Sequence, residues 1–402
     1  MNILVIGNGF DIAHGLPTKY MDFLEFIKII KQALSKGKLA GIDWGNTETE
    51  VKNFLIHDKG QVQKNLFSNK KKWEDLINDN IWIEYFLSIY TDRKRNGKDG
   101  WIDFESEISK VIQSLDDDMQ NRINGVAVLD DEIDRILSND ILDLYAERYD
   151  DITFKELRDL LLNDLNKLIR ALEIYICEYV EKMEIKKMSP DITGLDIDFI
   201  LSFNYTHIFS KLYNVSSRSK QEVADPFDYI HGEANISKTV ATNNMVLGID
   251  EYLPEDKKNK DINFIAFKKY YQRIYKGTGC KYKNWVDNIW EEMKEYELRG
   301  KGYPLQIPFN QFSKKHRHYA YFFGHSLDVT DKDILRDLIL NDNVYTTIFY
   351  HDKDTMGQQI ANLVKVIGQD ELIRRTGGNT KTIEFKLQKP MEEIKSNDLN
   401  SV

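Results

Sequence analysis

Several features that mark common protein classes are scarce in this chain of 402 residues. It has only two cysteines, Cys177 and Cys280, too few for a four-thiolate zinc site, and they do not suggest a disulfide scaffold. No stretch approaches the roughly 18 uninterrupted apolar residues of a transmembrane helix. The N-terminal apolar run is too short for a signal peptide. We therefore expect a cytoplasmic protein without zinc and without a membrane partner.

Positively charged residues are fewer than negatively charged ones. The chain has 55 Lys and Arg residues against 65 Asp and Glu residues, and its formal net charge is -10. This balance disfavours nonspecific binding to nucleic acid through overall charge. One local exception is FKKYYQRIYKGTG at residues 267–279, which could contact phosphates or stack on bases. We favour an amphipathic helix that packs its tyrosines on the core and leaves its lysines in water, although Lys269 or Arg273 could reach a nucleotide.

The chain does contain short runs that are typical of buried strands. Hydrophobic residues make up 42% of the sequence and aromatic residues 12%, which is enough for a large core. Runs rich in aromatic or β-branched residues, without strict polar alternation, predict parallel strands covered on both faces. These runs lie at residues 2–6, 197–203, 227–230, 245–247, 319–323 and 344–350, with an edge strand at 382–387. The sequence thus predicts an α/β fold with a parallel sheet of about six strands.

Charged, helix-like sequence separates these strands. Residues 45–189 predict a large helical insertion, and a lysine-rich insertion covers about 251–318. The α/β domain then consists of residues 1–44 and 190–376, and residues 377–402 supply the edge strand and a polar tail. We see no internal repeat.

Each predicted strand is followed directly by small, polar or titratable residues. In chain order these clusters read GNGFD, NYTH, HGE, GID, GHSLD and HDKD. Ligands of open parallel sheets bind at the carboxyl ends of the strands. The six clusters therefore predict one site at that edge of the sheet.

The first cluster resembles a phosphate-binding turn. Gly7 and Gly9 allow the backbone to approach a phosphate, and a following helix offers free N–H groups to the anion. A tight strand-to-helix turn without a ligand is the simpler interpretation. Ile12 occupies the last glycine position of the GxGxxG pattern, so the usual dinucleotide fold of hydride-transfer enzymes is disfavoured.

The spacing of the glycines resembles the sirtuin fingerprint GAGxSxxxGIPxF. FNYT at 203–206, HG at 231–232 and GHSLDV at 324–329 are similar to later sirtuin motifs, in the same order. The combination with YIHGE, LGID and YYQRIY resembles the AbiH family of bacterial abortive phage-infection proteins over residues 1–30 and about 195–355. This resemblance implies a sirtuin-like, Rossmann-type nucleotide-binding fold and a role in phage defence with a phage-encoded trigger.

The sirtuin resemblance also implies roles for individual residues, with NAD as substrate or ligand. Asn204 would orient the carboxamide or the attacking water, and His231 would act as general base, for which histidine has a suitable pKa. The implied nucleotide-binding residues are Gly7, Asn8, Gly9, Phe10, Asp11, Gly15, Pro17, Tyr20, Thr206, Gly232, Gly324, His325, Ser326 and Asp352.

Each of these roles has a structural alternative. Asn204 could be a turn residue that bonds its own backbone, and His231 could be a structural imidazole. Asp328 and Asp331 are expected at the N-terminus of the next helix, where carboxylates suit the helix dipole. Thr206 and Phe203 replace the acidic residue and the glutamine of the sirtuin TQNxD segment.

Three functions remain open from the sequence. The first is an NAD glycohydrolase, and the second is a non-catalytic nucleotide sensor. The third is a metal-dependent phosphodiesterase or nuclease, which GNGFD, IHGE and GHSLD superficially resemble. The DxH pair of such enzymes is missing, so we rank the third last. A homo-oligomer also stays open.

Overall fold

A computed structural model describes residues 1–38, 50–57, 64, 66–95, 102–123, 154–215, 225–254, 256–258, 260–300 and 316–394. The strands are β1 (Asn2–Ile6), β2 (Lys187–Met188), β3 (Phe199–Ser202), β4 (Phe227–Tyr229), β5 (His318–Phe323), β6 (Val344–Tyr350), β7 (Ile383–Leu387) and β8 (Glu392–Glu393). The helices are α1 (Asn8–Ala13), α2 (Tyr20–Lys36), α3 (Glu50–His57), α4 (Lys70–Ile77), α5 (Ile81–Arg95), α6 (Phe104–Ile123), α7 (Phe154–Glu178), α8 (Pro190–Thr193), α9 (Ile208–Leu212), α10 (Lys269–Lys276), α11 (Tyr282–Gly300), α12 (Lys332–Ile339), α13 (Lys353–Ile367) and α14 (Gln369–Thr376).

Six strands form one sheet in the order β4-β3-β1-β5-β6-β7, and every neighbouring pair is parallel. The predicted α/β fold with about six parallel strands is confirmed. The predicted edge strand at 382–387 is also confirmed, because β7 lies at the end of the sheet beside β6. A second, antiparallel pair joins β2 to β8, so part of the predicted polar tail is a strand.

The central strands are buried on both faces, as a parallel sheet covered by helices requires. Leu4, Val5, Ile200 and Leu201 are each 0% exposed. Apolar residues of α11, α12 and α13 pack with the strands in one core cluster. This burial explains why β1 and β3 read as continuous apolar runs rather than alternating ones.

The chain divides into two compact units. The first unit comprises residues 1–16, 184–233 and 277–402 and contains both sheets. The second comprises residues 17–183 and 234–276. Its described part contains helices α2 to α7 and α10. Aromatic rings of α2, α4, α5, α6 and α7 pack together in it; Phe86 and Phe104, for example, stack at 4.0 Å. Among the described residues, no helix has the length and apolar character needed to cross a bilayer.

The strand predicted at residues 245–247 is wrong. The Leu247 N–H donates to the side-chain oxygen of Gln272, and the amide nitrogen of Gln272 donates back to the Leu247 carbonyl. One side chain therefore satisfies the backbone groups that a neighbouring strand would have paired. Nearby, Ile249 forms only an isolated bridge with Lys268. The GID cluster consequently lies in the second unit and does not follow a strand of the sheet.

Helix α10 reverses the predicted amphipathic pattern. Its lysines were expected in water, yet Lys269 is 5% exposed and its ammonium pairs with Glu105 at 2.6 Å. Tyr275, expected on the core, is 77% exposed, and Ile274 is 73% exposed. The helix can bury its cations because the second unit supplies carboxylate and carbonyl partners for them.

Candidate functional site

The first unit brings several of the predicted clusters to one edge of its sheet. Ile6 at the end of β1 is in register with Ser202 of β3 and with Phe323 of β5. Ser202 is in turn in register with Tyr229 of β4. The residues that directly follow β1, β3, β4 and β5 therefore emerge side by side. We call this region the carboxyl edge.

The glycines of the opening loop allow two loops to pack against each other. A Cβ on Gly324, whose φ is 67°, would lie 2.1 Å from the Phe10 nitrogen, and a Cβ on Gly9 would lie 2.8 Å from the Gly324 carbonyl oxygen. The Gly9 N–H donates to that oxygen at 2.8 Å, and the Gly7 N–H donates to the Phe323 carbonyl at 3.2 Å. The chain itself thus uses these two N–H groups, and the phosphate-binding role of the loop stays a prediction.

Asn204 lies at the carboxyl end of β3 and is 4% exposed. Its side-chain nitrogen donates to the Gly7 carbonyl at 3.0 Å, which fixes the orientation of the amide. The amide oxygen is buried and accepts no hydrogen bond from any residue that the structure describes. The side chain of Asn204 therefore bonds to the preceding loop and leaves its amide oxygen unsatisfied in a buried position.

Two histidines and a carboxylate meet at the same edge of the sheet. The His231 Nε2 is 3.6 Å from one oxygen of Asp331, and the His325 Nε2 is 3.7 Å from the other. The Phe203 ring packs edge-on against both imidazoles, at 5.5 Å from His231 and 4.3 Å from His325. A Cβ on Gly7 would lie 3.1 Å from the His325 ring, so this cluster also adjoins the opening loop.

Asp331 lies at the start of the next helix, as predicted. It lies at the N-cap position of α12, but its side chain makes no capping hydrogen bond there. Asp328 does act as a cap, because its carboxylate accepts the Thr330 N–H at 3.1 Å. Local sequence could not separate the two aspartates, since the partners of Asp331 follow other strands.

The loop after β5 is held in a strained conformation. Leu327 has φ 59°, which is rare for a bulky side chain, and it is fully buried. Its N–H donates to the His325 Nδ1 at 2.9 Å. From α13, Gln359 donates to the His325 carbonyl and Asn362 donates to the Ser326 carbonyl. These contacts fix the His325 ring, and sequence reasoning missed Leu327, Gln359 and Asn362.

Asp11 joins the first loop to the segment after β3. It is 1% exposed, and the Thr206 hydroxyl lies 3.0 and 2.9 Å from its two carboxylate oxygens. A hydroxyl donates one proton, so it serves one oxygen at a time. The pair joins α1 to the segment after β3, which lies 195 positions away in the sequence.

His14 has a structural role at the same edge. Its Nδ1 lies 2.7 Å from the Phe10 carbonyl, which can only accept, so Nδ1 carries the proton. The Tyr213 hydroxyl therefore donates to Nε2 at 2.7 Å, and it accepts the Ser189 N–H. Burial lowers the pKa of His14, so the ring is neutral in this network.

A second histidine–carboxylate pair lies closer to solvent. The His207 Nε2 is 3.0 Å from a carboxylate oxygen of Glu233, and both side chains are about one-third exposed. The hydrogen bond to His207 lowers the pKa of Glu233. This pair comes from the NYTH and HGE clusters and had no assigned role.

The remaining predicted binding residues are placed as follows. Asp352 is exposed and caps α13 by accepting the Thr355 N–H at 2.7 Å, which lowers its pKa. Pro17 and Tyr20 belong to the second unit, where the Pro17 carbonyl accepts from Tyr175 and the Tyr20 ring stacks on Phe104 at 4.2 Å. Phe10 is buried, Asn8 and Ser326 are exposed, and Gly15 and Gly232 have φ of 81° and 77°. Their binding roles stay predictions.

A metal-dependent phosphodiesterase or nuclease would need a group of metal ligands. Within the ranges that the structure describes, no group of three or more His, Cys, Asp or Glu residues is arranged to hold a metal ion.

Comparison with known proteins gives one result. No curated protein and no solved structure matches the chain. The family model described as Bacteriophage abortive infection AbiH matches residues 3–351, which include the whole carboxyl edge described above. This chain therefore belongs to the AbiH family, whose role is abortive infection by bacteriophage.

Proposed function

We propose that the protein is an abortive-infection effector that binds NAD at the carboxyl edge and hydrolyses its nicotinamide–ribose bond. The observation that carries this proposal is the amide oxygen of Asn204, which is buried and accepts no hydrogen bond from a described residue. An unsatisfied buried acceptor costs about 1–3 kcal/mol. A water molecule or a carboxamide N–H that donates to this oxygen would recover that free energy.

His231 lies in the same group of contacts and supplies the base. Phe203 touches both His231 and His325, and His325 adjoins Gly7, whose carbonyl holds the Asn204 side chain. A neutral imidazole can accept a proton at neutral pH. The site thus pairs an acceptor that orients a nucleophile with a base that can deprotonate it.

The proposed reaction needs no further reagent than water. The bond between ribose C1′ and the nicotinamide nitrogen breaks, and its electron pair leaves with nicotinamide. Water held by Asn204 forms the new C1′–O bond and gives one proton to His231, which releases it to solvent. The products are nicotinamide and ADP-ribose. The Asp331 carboxylate beside His231 would stabilise the imidazolium that forms.

The test is incubation of the full chain with NAD and mass spectrometry of the products. We expect nicotinamide and ADP-ribose from the wild type, and losses of about 100-fold or more in Asn204→Ala and His231→Ala. His207→Ala is the matched control, because His207 is also a histidine of this edge but is paired with Glu233 near solvent. It should retain activity within about threefold.

Two results would contradict the proposal. Full activity in both Asn204→Ala and His231→Ala would remove these residues from the mechanism. Binding of NAD by calorimetry, without any product from the wild type, would overturn the hydrolase and favour a nucleotide sensor.

A further inference from the structure

The side chain of Asp331 makes no capping hydrogen bond for the helix that it precedes. It belongs to the 3₁₀ turn Val329–Asp331 and precedes α12, yet its carboxylate is directed at two imidazoles. Its side chain is 12% exposed. At 3.6 and 3.7 Å these contacts are electrostatic rather than short hydrogen bonds. A mostly buried carboxylate at this distance favours a ring nitrogen that carries a proton.

The protonation of His325 follows from its backbone contact. The Leu327 N–H donates to Nδ1 at 2.9 Å, so Nδ1 must present its lone pair. The proton of the neutral ring is then on Nε2, which faces Asp331. Protonation of Nδ1 would break the Leu327 contact. His325 is therefore a fixed donor toward one oxygen of Asp331, and it does not act as a base.

The same carboxylate decides the tautomer of His231. The Nε2 of His231 faces the other oxygen of Asp331, and a lone pair directed at a carboxylate would be repelled. We infer that Asp331 is a positioning residue that keeps the proton of His231 on Nε2 and thereby makes Nδ1 the basic nitrogen of the site. This inference rests on the proposed function only in the last step, in which Nδ1 takes the proton of the attacking water.

The substitution Asp331→Asn tests this tautomer directly. The fixed Nε2–H of His325 will draw the oxygen of the new carboxamide, because only that end of the amide can accept a hydrogen bond. Its NH₂ group will then face His231 Nε2, which must accept. We therefore expect the substitution to move the His231 proton from Nε2 to Nδ1, as a carboxamide in place of the carboxylate of a catalytic triad selects the wrong tautomer.

The measurement is a long-range ¹H–¹⁵N NMR spectrum of the full chain, labelled at its eight histidines. Spectra of His231→Gln and His325→Gln assign the two rings. In the wild type we expect both rings as Nε2–H tautomers, and in Asp331→Asn we expect His231 alone to change. Asp333→Asn is the matched control, since this exposed aspartate lies in the first turn of α12, and it should leave both rings unchanged.

The outcomes separate this inference from the proposed function. A wild-type His231 with its proton on Nδ1 would overturn the inference. The wild-type spectrum alone therefore tests the tautomer of His231, even if Asp331→Asn does not fold. An Asp331→Asn protein that keeps the proton on Nε2 would overturn it too. If the tautomers are as expected but NAD is not cleaved, the proposed function fails while the role of Asp331 stands. If NAD is cleaved, kcat should fall about 100-fold or more in Asp331→Asn, with KM nearly unchanged.

Discussion

The carboxyl edge of the first unit and the described part of the second unit both bury polar side chains, but they satisfy them in different ways. At the carboxyl edge, Asn204, His231 and His325 each follow a strand, and strand register brings them together. In the second unit, buried cations find carbonyl and carboxylate partners far away in the sequence. Polar residues at strand ends are therefore foreseeable from a strand pattern, whereas buried cations are not.

The strongest test of this contrast removes the central carboxylate of the second unit. Glu173, which is 0% exposed, pairs with Arg170 and also accepts the Asn235 N–H at 3.0 Å. Arg170 donates further to the carbonyls of Asn235 and Ile236. Glu173→Ala leaves the guanidinium buried without its counter-ion, so we expect the free energy of unfolding to fall by about 4 kcal/mol.

Urea unfolding followed by tryptophan fluorescence measures this loss. The matched control is Glu74→Ala, which breaks an exposed pair with Lys70 one helical turn away. It should change the free energy of unfolding by less than about 0.5 kcal/mol. Equal effects of the two substitutions would show that the buried cation network contributes little, and the contrast between the two units would disappear.

The next test concerns the loop contact at the carboxyl edge. Gly324→Ala would place a Cβ 2.1 Å from the Phe10 nitrogen at a residue with φ 67°. The clash of this Cβ with the backbone and the left-handed conformation of the residue should together lower the free energy of unfolding by about 3 kcal/mol. Gly357→Ala is the control, because Gly357 lies inside α13 with open space around its Cβ. It should instead stabilise the protein by about 0.5–1 kcal/mol, since alanine favours helix. A neutral Gly324→Ala would show that the two loops separate easily.

These contrasts explain how much the sequence revealed. Strand positions and their parallel pairing followed from apolar runs, and the clusters GNGFD, NYTH, HGE and GHSLD reached one edge because parallel strands end together. The sequence placed Asp331 correctly at a helix start but did not reveal its contacts with His231 and His325, because these histidines follow β4 and β5. The prediction of a strand at residues 245–247 was wrong for a similar reason. Its hydrogen bonds go to a Gln272 side chain 25 positions away, which no local pattern can reveal.

The prediction for helix α10 was wrong because an amphipathic pattern shows that a helix has two different faces but does not show which face is buried. Its pattern correctly separates lysines from tyrosines and isoleucine, and either face could have been buried. The partners of the buried face decide, since Lys276 donates to the Met245 carbonyl and to the Asn243 side chain. Hydrogen bonds of this kind make burial of an ammonium group tolerable.

The last test uses pH to measure the burial of that ammonium. Burial lowers the pKa of Lys276 from 10.5 to about 8. Between these two values the unfolded chain binds more protons than the folded chain, so stability rises with pH. Below pH 8 the buried amine is charged and the folded protein bears the full destabilisation of that charge. Above pH 8 the amine loses its proton and this destabilisation decreases. Lys276→Met lacks this titration. Between about pH 7 and 9.5 the free energy of unfolding of the wild type should therefore rise by about 2 kcal/mol relative to that of the variant.

Urea unfolding of both proteins at several pH values across this range gives the difference curve. Lys28→Met, at an exposed position of α2, is the control, and its stability should run parallel to that of the wild type. A flat difference curve for Lys276→Met would mean that the ammonium is solvated in the folded protein. Helix α10 would then not bury its charged face, and the buried cation that distinguishes the second unit from the carboxyl edge would be absent at Lys276.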